Sequence, residues 1–187
     1  MNRTLLSFIV SVFSLTSLLS FASAATPVAS YSFDEGSGTT ISDRSGNGNT
    51  GSVVGGASWS TGKYGNAVSI VSDGQKVIVQ TSPQTEIIGS FTLEAWIKPN
   101  SLPSSYNPIL IKASGYPSNY SYFLQGDKLM WKWAGSSDYF YSSATVQANV
   151  WQHVAVSYDA VAKRWTHYIN GVASGSGTET RAPEAYT

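Results

Sequence analysis

The chain is 187 residues long, has no cysteine, and carries eleven Lys and Arg against eleven Asp and Glu. That length accommodates one domain and a short appendage; the zero formal charge offers no clustered basic surface for nucleic acid or an anionic membrane, and the missing thiols exclude disulfide staples, thiolate metal sites and cysteine nucleophiles. Charged residues are only 12% of the chain, aromatics are 13%, and there are 17 glycines, a balance that favours short strands joined by small-residue turns over a helical bundle.

Residues 1–24 read as an export signal. Arg3 supplies the positive start, Leu5 to Leu19 is an apolar run diluted by Ser and Thr, and Ala22-Ser23-Ala24 has the small-x-small form that signal peptidase cleaves. The run falls short of the ~20 apolar residues needed to cross a bilayer. The mature protein is therefore expected to begin at Ala25, as one domain over residues 25–187, and to be secreted, periplasmic or held at the cell surface.

From Pro27 onward the apolar period is two. Tyr31 and Phe33 alternate with small and polar residues, as do Phe91, Leu93, Ala95 and Ile97, and then Val154 and Val156. Turn clusters separate these strands at residues 34–38, 45–49, 55–56 and 72–74. Two places read as tight hairpins: Gly126-Asp127 between Tyr122–Gln125 and Lys128–Trp133, and Asn170-Gly171 after Trp165–Ile169. Asn-Gly tolerates the two positive φ angles of a type I′ turn. Ser174–Thr180, rich in Gly, Ser and Thr, reads as a linker. No segment shows a helical stripe, so the expected fold is an all-β antiparallel sandwich of ten to twelve short strands.

The turn at Asp43 has two chemical readings. Asp43, Ser45 and Asn47, with Gly48 at the sharp turn and the Asn49 carbonyl beyond it, place oxygen atoms at spacings that suit a hard cation such as Ca²⁺. The position where a bidentate Glu would close such a loop is Val54, and the alternative is an Asx-rich turn solvated by water. The overlapping Gly46-x-Gly48-x-x-Gly51 pattern lacks the strand-then-helix context of dinucleotide binding and is set aside.

The strings Tyr31-Ser32-Phe33-Asp34-Glu35-Gly36, Asp43-Arg44-Ser45-Gly46-Asn47-Gly48-Asn49, Phe91-Thr92-Leu93-Glu94-Ala95-Trp96-Ile97-Lys98-Pro99, Trp151-Gln152-His153-Val154-Ala155-Val156-Ser157-Tyr158-Asp159 and Tyr168-Ile169-Asn170-Gly171 resemble, in this order, the laminin-G-like domain of the concanavalin A-like lectin/glucanase superfamily. The resemblance implies a two-sheet jelly roll and leaves the activity open, because this fold carries lectins, adhesion modules, lyases and glycosidases. Family members run on past the Asn-Gly hairpin into further strands that Val172–Thr187 does not resemble. A C-terminally incomplete sandwich is expected, with Phe91, Leu93, Ala95, Ile97, Tyr31 and Phe33 short of contacts.

Catalysis has no sequence support. No two acids of residues 25–187 are separated by two or four, the spacings that set a glycosidase pair on one strand face, and His167 and Tyr168 are neighbours that a strand points to opposite faces. Binding has more. Tyr106, Tyr116, Tyr120, Tyr122, Trp131, Trp133, Tyr139 and Tyr141 cluster among amides and charges, as sugar-stacking rings do. Tyr116, Tyr120, Tyr122, Trp131, Trp133 and Tyr139 are the candidate ligand contacts, and core packing is the competing role for each. The expected function is a secreted, non-catalytic module that binds carbohydrate or an extracellular glycoprotein with help from Ca²⁺ at Asp43, Ser45, Asn47 and Asn49. The alternative is a targeting or adhesion fragment of a larger exported protein such as a polysaccharide-degrading enzyme.

Overall fold

The computed structural model describes residues 26–87, 89–112, 120–133 and 138–180. The expected export signal and the candidate contact Tyr116 lie outside the described residues. The strands are β1 (Thr40–Ile41), β2 (Gly51–Val54), β3 (Ser58–Thr61), β4 (Asn66–Ser69), β5 (Lys76–Val79), β6 (Phe91–Ile97), β7 (Tyr106–Lys112), β8 (Tyr120–Gln125), β9 (Lys128–Trp133), β10 (Phe140–Tyr141), β11 (Gln152–Asp159), β12 (Arg164–Ile169) and β13 (Val172–Thr178). A single 3₁₀ turn at Pro83–Thr85 is the only helical element among the described residues.

Two four-stranded antiparallel sheets, ordered β10-β9-β8-β7 and β13-β12-β11-β6, make the sandwich, and β1-β2-β5 and β3-β4 form smaller sheets. The two-residue period decides what fills it. Tyr120, Tyr122, Leu124, Leu129, Trp131 and Trp133 point inward from one sheet and Leu93, Val154, Val156, Tyr158, Trp165 and Ile169 from the other, forming one hydrophobic core.

Both expected hairpins are present. Asn170 (φ 50°) and Gly171 (φ 77°) take the two positive angles between β12 and β13, as a type I′ turn requires. The expected linker at Ser174–Thr180 is corrected. Most of it is β13, whose ladder with β12 runs from Ile169 opposite Val172 to Arg164 opposite Thr178. Tertiary pairing overrides the weak strand propensity of Gly and Ser, and Gly177 has its own reason: a Cβ there would lie 2.9 Å from the Trp165 ring.

β6 ends its sheet among the described residues, paired only with β11. Its apolar face is nevertheless covered, which corrects the expected shortage of contacts at Phe91 and Leu93. The Phe91 ring packs within 5.4–6.1 Å of Tyr120, Trp131, Trp133 and Tyr158, and Leu93 is buried.

Candidate functional site

Four of the candidate ligand contacts are core residues. Tyr120, Tyr122, Trp131 and Trp133 are 5%, 0%, 0% and 2% exposed. They occupy alternate positions on β8 and β9 that face the second sheet, so no ligand at the surface reaches them. Tyr139 is different: it is 41% exposed and stands with two rings outside the candidate set, Tyr106 at 50% and Tyr141 at 41%.

These three tyrosines form a platform on the outward face of the β7–β10 sheet. Tyr106 and Tyr139 lie nearly parallel, with centroids 6.1 Å apart, and Tyr141 follows at 6.5 Å from Tyr139. Phe123 of β8 flanks Tyr106 at 5.8 Å. Polar groups surround the rings: Lys132 Nζ sits 4.8 Å from the Tyr139 centroid, and the Tyr141 hydroxyl donates to Gln125 Oε1 at 2.8 Å. A hydrogen bond to Tyr139, with some loss of solvation, raises the Tyr106 pKa above the usual phenol value. The platform was marked in the sequence by alternation. Lys132 stands between Trp131 and Trp133, and Phe123 between Tyr122 and Leu124, so each must face away from those neighbours.

At the Asp43 loop the structure shows a hydrogen-bonded turn. Asp43 Oδ1 accepts from the backbone N–H groups of Ser30 (3.0 Å) and Ser45 (2.9 Å), and Oδ2 accepts from the Asn49 N–H (2.9 Å) and the Ser45 hydroxyl (2.8 Å). The Asn47 and Asn49 amides each donate to the Val28 carbonyl at 2.9 Å. Asp43 thus ties the N-terminal segment to the loop and aligns Asn49, which is buried and accepts from the Ser82 hydroxyl at 2.6 Å. Partial burial works to raise the Asp43 pKa, but the bonds from Ser45, Ser30 and Asn49 outweigh it and hold the carboxyl at about 2.

Two effects are therefore expected at Asp43. Asp43→Ala should cost about 2 kcal/mol by leaving several donors without an acceptor. Because the folded pKa is depressed from 3.8, this stabilisation should persist above pH 4 and fade as pH drops toward 2. Urea denaturation of both proteins across that range checks it. A cation here would require the Ser45 and Asn49 donors to turn away, so a Ca²⁺-dependent rise in melting temperature, present in wild type and absent in Asp43→Ala, is the signature of calcium at this loop.

The two histidines differ in setting. His167 is fully buried, with Nε2 at 2.9 Å from the Phe140 carbonyl oxygen, so that nitrogen carries the proton. His153 is at the surface beside Glu94. No three of His, Asp and Glu gather as a metal-binding group among the described residues.

The two facing sheets and the exposed tyrosines define an all-β antiparallel sandwich with an aromatic platform on one outer face. A family profile, Laminin_G_3 of the concanavalin A-like lectin/glucanases superfamily, matches residues 72–187, and the chain belongs to that family. Among solved structures the chain is similar to the binding domain of Paraclostridial Mosquitocidal Protein 1, with TM-score 0.65 and 21% identity over 76% of this chain and 39% of that one. It is also similar to domain 4 of AbnA, a GH43 extracellular arabinanase from Geobacillus stearothermophilus, solved in complex with arabinotriose: TM-score 0.64, 22% identity, covering 84% and 78% of the two chains. An S-layer domain-containing protein from Clostridium thermocellum ATCC 27405 matches with TM-score 0.53 and 24% identity over 80% and 71%. At these identities the likeness is one of fold. No curated protein sequence matches the chain.

Proposed function

We propose that this protein is a secreted, non-catalytic carbohydrate-binding module that serves as the glycan-recognising part of a larger extracellular assembly. The observation that carries the reading is the exposed Tyr106–Tyr139–Tyr141 platform with Gln125 and Lys132 at its edge. A sugar ring has an apolar C–H face and polar edges, and flat rings beside amide and ammonium groups meet both. The signal-like start at residues 1–24 supports export, and the similar folds in an arabinanase and an S-layer domain-containing protein support attachment to larger proteins.

The test is isothermal titration with a panel of arabino-, xylo-, cello- and manno-oligosaccharides, led by arabinotriose because the similar arabinanase domain was solved with it. Binding by at least one member is expected. Tyr106→Ala and Tyr139→Ala should each weaken it by about tenfold, equivalent to ~1.4 kcal/mol, while leaving the fold intact. Affinity unchanged in the double variant would remove the platform from the reading. Release of new reducing ends during prolonged incubation would overturn the non-catalytic part.

A further inference from the structure

The opposite side of the sandwich carries a second aromatic patch. Along β6 the inward Leu93, Ala95 and Ile97 alternate with outward Thr92, Glu94 and Trp96, and the β11 register sets His153 opposite Trp96 and Ala155 opposite Glu94. Trp96 is 41% exposed, and Tyr64, from the turn between β3 and β4, is 70% exposed. Their rings meet edge to face at 5.7 Å, and His153 stands against Trp96 at 5.5 Å. Lys63 Nζ lies 5.4 Å from the Trp96 centroid, and the Glu94 carboxylate is 3.5 Å from His153 Nε2. Beside this cluster the outward positions of β11 are small: Ala155 sits in register between Glu94 and Tyr168, and Ser157 between Thr92 and Thr166.

Strand formation does not require this arrangement, since any β-branched residue would serve on an outward position of β6. The charges argue against burial under another protein. Interface centres are depleted of charged residues, and covering Lys63, Glu94 and His153 with an apolar surface would strip their hydration without repayment. A sugar satisfies both components at once, stacking on the rings and trading hydroxyls with the charged groups. Lys63 and Glu94 offset one another, which favours an uncharged sugar.

We propose that Trp96 and Tyr64, with Glu94 and His153 as hydrogen-bonding partners, form a second carbohydrate-contacting site for a neutral sugar ring. The proposal rests on the reading of the protein as a carbohydrate-binding module and adds a site that the tyrosine platform does not include. The inner faces of both sheets line one core, so the two sites point in opposite directions. One chain then bridges two polysaccharide strands, and the linked contacts give avidity beyond either site alone.

The experiment uses the full chain and the same oligosaccharide panel. Titration is expected to show two sites per chain for the members that bind. A Tyr64→Ala/Trp96→Ala variant should retain only the platform site, and Tyr106→Ala/Tyr139→Ala only the Trp96 site, with melting temperatures close to wild type because all four rings face outward. Wild type should cross-link a soluble polysaccharide into turbid aggregates, and neither variant should. Binding retained by the platform variant supports the Trp96 site even if the platform reading fails. One site per chain with Tyr64→Ala/Trp96→Ala silent would overturn this proposal and leave the platform standing, and no binding across the panel would overturn both. Concentration-dependent self-association abolished by Trp96→Ala would assign this face to a second copy of the chain instead.

Discussion

Acidification from pH 7 to pH 4 is expected to cost the protein about 3 kcal/mol of folding stability, with His167 responsible for most of it. The ring is fully buried between the sheets, stacked at 5.9 Å on Tyr122 and edge-on at 5.4 Å to Trp165. Burial lowers its pKa from 6.5 to about 4, against the opposing effect of the Phe140 hydrogen bond. In the unfolded chain the imidazole takes its proton near 6.5, whereas in the folded one it stays neutral until the pH is much lower. Stability is therefore complete above the unfolded value and declines as pH falls toward the folded one, at ~1.4 kcal/mol per unit of separation. His167→Gln keeps a donor for the Phe140 carbonyl and removes the titration, so its stability should be nearly flat between pH 7 and 4.5 in urea denaturation. An unchanged pH slope in that variant would assign the acid sensitivity to other groups. The Asp43 carboxyl occupies a separate window below pH 4.

The strands and hairpins were legible because they rest on local chemistry: alternation at Phe91–Ile97, and Asn170-Gly171 with its two positive φ angles. The side that each alternation presents to the core was not. Trp131 and Trp133 visibly share a face, but only the placement of β11 and β12 makes it the inner one and turns Tyr120 and Tyr122 inward with them. Asp43 illustrates a different limit. Its spacing fits a cation loop and an Asx turn equally, and a donor from Ser30, distant in the chain, completes its hydrogen bonds. β13 was missed because its ladder partner β12 supplies what its composition lacks. The Trp96 patch joins Tyr64, Trp96 and His153, residues from separate strands and turns that no local pattern connects.

Trp131→Ala is expected to be the most damaging single substitution, costing about 3–5 kcal/mol, a large share of the ~5–15 kcal/mol that holds a domain folded. The indole is fully buried at the junction of the two sheets, with ring centroids at 5.0 Å from Trp133, 5.1 Å from Phe140, 5.9 Å from Tyr158 and 6.1 Å from Phe91. Removing it opens a cavity that these rigid neighbours cannot collapse to fill, and both sheets lose contact at once. Trp131→Phe should cost far less, about 1–2 kcal/mol, because it keeps an aromatic ring in place. Nothing polar is lost either, since Trp131 Nε1 has no acceptor among the described residues. Tyr139→Ala, at the exposed platform, should leave stability within about 0.5 kcal/mol of wild type while weakening sugar binding. Urea denaturation of the three variants beside oligosaccharide titration separates the roles. If Trp131→Ala instead kept its unfolding midpoint and lost binding, the ring would belong to the ligand surface and the inward placement of β9 would be wrong.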